Sequence, residues 1–271
     1  MNFKIISAVS AVLLSVSATV LAQVAPPTST WQQFGAISDA GLSGQAGSGA
    51  VIAGHIGSNT AISNFPPSSV LPGFAVFPVA DPVVATALIN ANTAYNFLAA
   101  QGPGTVLPDN LGTIGGPLTA GVYSTTTGAA DLPGGAVLTL NGPGIFVFNV
   151  DSLTANVLSS VAGSANPCNV YWRVGSSATL NGNNFYGRVI ALASVTIGDI
   201  VGPLLGTNLQ GNAVGLTGAV TMAGDGGTTV GGCAAAAAGN NGGVPTLSEW
   251  AMILLAAMMA VMAAGALRRR I

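Results

Sequence analysis

Cys168–Gly198 reads CNVYWRVGSSATLNGNNFYGRVIALASVTIG. Its apolar runs are short and rich in β-branched and aromatic residues: Val170-Tyr171-Trp172, Phe185-Tyr186 and Arg188-Val189-Ile190, each closed by Gly, Asn or Ser. Runs so short, with such stops, make strands that turn corners rather than helices. Two strands centred on threonine lie inside the stretch, Ala178-Thr179-Leu180 and Val195-Thr196-Ile197. The pattern returns at Val220-Thr221-Met222 and more distantly at Leu138-Thr139-Leu140. Recurrence of one pattern predicts a stack of similar rungs, not unrelated hairpins. Stacked in parallel, such rungs form a β-helix that buries each coil on its neighbours and needs caps only at its ends. The rival, an antiparallel sandwich, usually shows more charged outward positions and clear two-residue turns.

Working outward, the chain has 271 residues, enough for one compact domain of roughly 200 residues plus processing segments. Only 5% of it is charged, against about 25% in an ordinary soluble domain, and 38 residues are Gly. A polar, uncharged surface on a Gly-cornered β scaffold is expected. Between the termini the basic residues are Arg173 and Arg188, set against seven aspartates, among them Asp151, Asp199 and Asp225. A mildly acidic chain with no basic stripe is not built to hold nucleic acid.

Residues 1–22 read as a secretory signal peptide, with Lys4 as the positive start, an apolar run Ile5–Val20 and the small-residue ending Val20-Leu21-Ala22. Export implies an oxidising compartment. Cys168 and Cys233 then admit one intramolecular bridge, the alternative being two buried free thiols. Two thiols without His partners do not make a metal site, so no metal or cofactor is expected.

A helix is predicted over about residues 82–100, with Asp81 as cap, Pro82 at the first helical position, and Val84, Leu88, Ala91, Tyr95 and Leu98 on one stripe. Gly144–Val150 (GIFVFNV) is apolar on both alternating faces, as befits a strand with core on one side and this helix on the other. The Gly-rich text near residues 41–58 lacks the Lys-Ser/Thr of a phosphate loop. His55, the only histidine, has no Ser, Cys or carboxylate beside it and reads as a packed strand residue rather than a base.

FPPSSV, the Asp-Pro-started helix ending in ANTAYNFLAA, LTAGVYSTTT, GPGIFVFNV, the opening stretch and GAVTMAG together closely resemble the DUF3494-type ice-binding protein family over roughly residues 32–233. The resemblance implies a discontinuous right-handed parallel β-helix, a triangular solenoid with one long α-helix alongside. It also implies adsorption to ice through a flat face, without catalysis. One departure is Gly54-His55-Ile56-Gly57, where family members often carry Gly-Asp-x-Gly. A face that orders water should be flat, rigid and uncharged, with methyl and hydroxyl groups in ranks. If Val195, Ile197, Val220 and Met222 point inward, strand alternation turns Thr196 and Thr221 outward, and Thr179 joins them. Thr also suits strands without any ligand, and the unequal spacing of the three leaves their alignment open. A polysaccharide enzyme on this scaffold would need paired carboxylates, whereas the aspartates are scattered beside turns. An adhesive module that binds glycan or another extended surface is the remaining alternative.

Residues 234–243 form an Ala/Gly/Asn linker. Beyond it come Val244, Pro245, Thr246, Leu247, Ser248, Glu249 and Trp250, an apolar run from Ala251 to Leu267, and Arg268, Arg269 and Arg270. By length and charge this is a C-terminal membrane helix with its arginines in the cytoplasm. The motif resembles the IPTL-CTERM sorting signal, with Val244 for the usual Ile. That implies a Gram-negative cell, an exosortase-like processing enzyme, and a domain at the outer surface or released.

Overall fold

The computed structural model describes residues 23–44, 50–65, 69–198, 206–223 and 227–233. The expected signal peptide, linker, sorting motif and membrane helix lie outside these residues, as do Asp199 and Asp225. Among the described residues no helix is long and apolar enough to cross a membrane.

The chain begins with five short strands, β1 (Phe34–Ser38), β2 (Gly41–Gly44), β3 (Val51–Ile52), β4 (His55–Ser58) and β5 (Ile62–Ser63), followed by the helix α1 (Pro82–Ala99) and β6 (Thr105–Leu107). It then winds through five coils of three strands. These are β7 (Gly121–Thr125), β8 (Ala129–Leu132) and β9 (Val137–Leu140); then β10 (Phe146–Val150), β11 (Ser152–Ala155) and β12 (Ser160–Gly163). The third coil is β13 (Val170–Val174), β14 (Ala178–Leu180) and β15 (Asn184–Tyr186); the fourth is β16 (Arg188–Ala191), β17 (Val195–Ile197) and β18 (Asn208–Gln210). The fifth is β19 (Ala213–Gly215), β20 (Ala219–Met222) and β21 (Thr229–Gly231).

Each coil gives one strand to each of three parallel sheets, as the repeat in the sequence leads one to expect. The first sheet runs β4-β1-β19-β16-β13-β10-β7-β6, the second β5-β2-β20-β17-β14-β11-β8, and the third β3-β21-β18-β15-β12-β9. The order is not that of the chain. β1, β2 and β3 stack on β19, β20 and β21, so the N-terminal rungs extend the C-terminal end of the solenoid. From there α1 runs back towards the opposite end, where Asn149 of β10 donates to the carbonyls of Leu98 and Gly102. An 18-residue helix is about 27 Å long. It therefore spans most of the first sheet.

The core divides accordingly. Inside the coils, Tyr123, Phe148 and Trp172 occupy successive rungs of the first sheet, with ring centroids 5.3 and 4.0 Å apart. On the outer side of that sheet Ile37, Val147, Tyr171, Ile190 and Val214 meet Val84, Leu88, Ala91, Tyr95 and Leu98 of α1. The Asp81 carboxylate accepts from the Val83 amide at 2.8 Å, the cap expected from sequence, worth about 1 kcal/mol. Gly187 has φ +127°, and a Cβ there would lie 2.8 Å from the Trp172 indole, so only glycine fits this corner.

Cys168 and Cys233 form a disulfide. It closes 65 residues, which by chain entropy contributes about 4 kcal/mol. Beside it lies Arg188, a residue whose sequence context suggested an ordinary strand position but which is 4% exposed. Its guanidinium donates to the carbonyls of Cys168 (3.1 Å) and Cys233 (3.0 Å) and to Asn212 Oδ1, and faces the Trp31 ring at 5.5 Å. Burial pushes its pKa down from the ordinary arginine value, with Tyr171 opposing. Asn212 in turn donates to the Phe34 carbonyl, joining this cluster to the start of β1.

At the outer edge of the N-terminal rungs, His55 packs against Phe34, Phe74 and Phe77, and its Nδ1 accepts from the Ala75 amide at 2.9 Å. The segment around Ala75 thereby covers the edge of β4.

Two predictions follow from these contacts. Arg188→Leu strands three acceptors together, so chemical denaturation of oxidised protein should show a loss of about 3 kcal/mol or more. Burial lowers the His55 pKa. The unfolded chain therefore takes up the proton first, and the contribution of His55 is full above about pH 6.5 and lost as pH falls through the lower folded-state value. The urea midpoint should drop between about pH 7.5 and 5.5, with a smaller drop for His55→Gln.

Candidate functional site

The second sheet is not the one that α1 covers, and the chemistry of its outward face is set by strand alternation. In β14, β17 and β20 the buried residues are Ala178, Leu180, Val195, Ile197, Val220 and Met222, while Thr179, Thr196 and Thr221 turn outward. Pairing is one to one: Thr179 opposite Thr196, and Thr196 opposite Thr221. The three threonines named from sequence thus stand in a single file despite their unequal spacing along the chain. The register holds whatever the number of residues between them.

The file is longer than the sequence suggested. Thr154 of β11 pairs with Thr179 on one side, and on the other Thr221 pairs with Ser43 of β2, which pairs with Ser63 of β5. Ser43 and Ser63 belong to the N-terminal rungs. Their place in the file depends on the stacking of β2 on β20, a partner 178 residues away, which no local pattern reveals. Thr154 was legible in principle, since Ser152-Leu153-Thr154-Ala155 shows the same alternation. Seven strands at about 4.8 Å spacing give a file about 29 Å long.

Beside this file runs a second. Ala129 pairs with Ser152 and Gly41 with Ala219, while the hydroxyls of Ser177 and Ser194 lie 3.0 Å apart. Along the adjoining corner, hydroxyls staple successive turns: Thr60 to the Asp39 carbonyl at 3.1 Å, Ser176 to that of Asp151 at 2.6 Å and Thr217 to that of Leu192 at 2.6 Å. Threonine is stiff at χ1. With corners stapled and register fixed, the hydroxyls and methyls form a rigid array. Asp131, opposite Thr154 at the β8 end, is the one charged member of the main file and accepts from the Asn156 amide at 2.8 Å.

The other two sheets differ. The first is covered by α1. The third presents residues from Gly231 to Tyr186 in size, and its amides are tied together, Asn208 donating to Asn184 at 3.0 Å and Thr229 to Asn208 at 2.8 Å. It is uneven where the second sheet is uniform.

An open groove of about 420 Å³ beside α1, lined by Leu88, Ile89, Leu192 and Leu216 with Asp39 and Asn92, is mainly apolar. Among the described residues no three His, Cys, Asp or Glu side chains converge as a metal site would require.

Known proteins resemble this chain in sequence and fold. The Ice-binding-like family model matches residues 36–228, and that of the IPTL-CTERM motif matches residues 243–270. An ice-binding protein of Nostoc sp. (strain HG1) is 37% identical over 176 residues, a match spanning 62% of this chain and 60% of that protein's length. The crystal structure of an ice binding protein from an Antarctic biological consortium is 30% identical, with a TM-score of 0.62 over 77% of this chain and 91% of that one. That of an ice-binding protein from the ascomycete Antarctomyces psychrotrophicus is 28% identical, with a TM-score of 0.60 over 75% of this chain and 96% of that one.

Proposed function

From the threonine face we infer that this chain, which belongs to the Ice-binding-like family, adsorbs to ice through its second sheet and catalyses no reaction. The observation that carries this reading is the register: Thr154, Thr179, Thr196 and Thr221, continued by Ser43 and Ser63, in one file on consecutive rungs. A crystal surface is periodic, so a repeated contact adds up only if the protein repeats it without drift. Parallel in-register strands supply that repeat. Charged side chains would hold water in competing orientations, and the file has one only at its end. A preorganised face loses little side-chain entropy on adsorption, so many weak contacts survive as net affinity.

The protein is exported or displayed at the cell surface, as its sorting motif and its relatives indicate. In the fuller reading, Val244, Pro245, Thr246, Leu247 and Trp250 are recognised by an exosortase-like enzyme. The apolar run and Arg268, Arg269 and Arg270 hold the chain in the inner membrane of a Gram-negative cell until then, and the domain ends at the outer surface or in the medium.

The test uses a fragment of residues 23–243. Thr179→Tyr and Thr196→Tyr place bulk in the middle of the file and should weaken ice recrystallisation inhibition by about tenfold or more, a change worth about 1.4 kcal/mol. Asn208→Tyr on the third sheet should change it less than about twofold. Melting curves check that all three fold. Equal effects on both sheets, or none on either, would remove the second sheet from the mechanism.

A further inference from the structure

The disulfide, the buried arginine and the point where the chain leaves the described domain all lie on one edge of the solenoid. Cys233 follows β21, where the third sheet gives way to the first. Cys168 lies in the turn before β13, and Arg188 opens β16, at that same junction. Of the three edges of such a coil, this is the one the second sheet does not border. The sorting motif begins at residue 243, ten residues (243 − 233) beyond the disulfide.

We propose that the protein works as a tether under pulling force, holding its own cell to ice, with the Cys168–Cys233 bridge and Arg188 as the clamp through which force leaves the domain. The proposal rests on the ice-adsorption reading and on attachment through the C-terminal segment. A chain fixed beyond Cys233 presents the second sheet away from its attachment. Ice and the cell then pull on opposite sides of the solenoid.

Without the bridge, a pull on residue 233 falls first on β21. This strand has three residues, paired with β18 over three and with β3 over two, through bonds such as Gly211 N–H to the Gly231 carbonyl at 2.9 Å and Thr229 N–H to the Thr207 carbonyl at 3.0 Å. Peeling breaks such bonds one at a time, each worth only about 1 kcal/mol net. With the bridge closed, the pull passes to Cys168 and so into β13. β13 lies in the middle of the stack, paired with β10 over five residues and with β16 over four. These must shear together. Arg188 holds both cysteine carbonyls, so the two ends of the bridge cannot pivot apart. A bridge serving equilibrium stability alone would do as well wherever it closed a loop of this length. Its place on the exit edge is what force requires.

The full chain in detergent micelles, held in optical tweezers between a handle on a clickable unnatural residue at Thr196 and a handle after Ile271, tests the clamp without ice. Oxidised protein should show no lengthening before global rupture. After addition of reductant, and equally in Cys168→Ala/Cys233→Ala, an early extension of β21 should appear at lower force. Identical traces with the bridge closed and open would overturn the proposal. In a second arm, cells that display the domain at their surface are placed on ice under flow. Retention should fall about tenfold or more on reduction, while adsorption at rest stays within about twofold. If adsorption at rest falls just as far, the bridge only maintains folding and the clamp is refuted. If oxidised cells do not adsorb at rest, the ice reading fails and takes the tether with it, whereas the tweezers report on the clamp separately.

Discussion

The stacking of β1, β2 and β3 on β19, β20 and β21 is the contact on which the remaining architecture depends. It pairs Ala36 with Ala213 and Ser43 with Thr221, residues from opposite ends of the domain. It covers the C-terminal edge of all three sheets, an edge that would otherwise be open to pairing with other chains. It also obliges the chain to return to the other end, which α1 does while burying the outer side of the first sheet. The two sheets left free are uncharged along their middles, and only one of them is uniform. An uncharged, in-register face thus emerges from a topological requirement as much as from a choice of side chains.

The seam is held by polar groups where an apolar contact would have sufficed. Arg188 and Asn212 connect Cys168, Cys233, Phe34 and Trp31, so residues from both ends and the middle of the chain share one buried network. Such a network is costly when half formed, because each unpaired donor or acceptor is left in low dielectric. It therefore favours the one arrangement in which every partner is present. Apolar packing alone would tolerate a neighbouring register; a guanidinium with three fixed acceptors does not.

Much of this was legible in the sequence, because a solenoid repeats its local rule. Alternation in Ala178-Thr179-Leu180 puts Thr179 on the face opposite its two neighbours, and burial of Ala178 and Leu180 decides that this face is the outer one, while the run GIFVFNV announces a strand with core on both sides, as Phe146, Val147 and Phe148 show by their burial. Asp81 and Pro82 start the helix where caps and proline chemistry say they should. What escaped was non-local. No spacing rule reports that Ser43 continues the threonine file, since its register is set by β20 and not by its neighbours in sequence. Arg188 escaped for the opposite reason. Its neighbours look ordinary, and only the arrival of two distant carbonyls and Asn212 makes a buried cation tolerable. His55 has no polar partner beside it in the sequence, and in the fold its ring becomes part of an aromatic cap.

The seam also orders events in time. β1, β2 and β3 are made first, yet their inner neighbours are among the last strands to be made, and the cysteine that completes the clamp lies beyond all of them. Strands so far apart in sequence pair late, since a long loop must close before any contact rewards it. The solenoid therefore cannot be completed until nearly the whole domain has been synthesised. A secretory pore passes extended chains. The discontinuity that builds the threonine face thus also delays completion of the fold, which favours passage of the chain before its cysteines join.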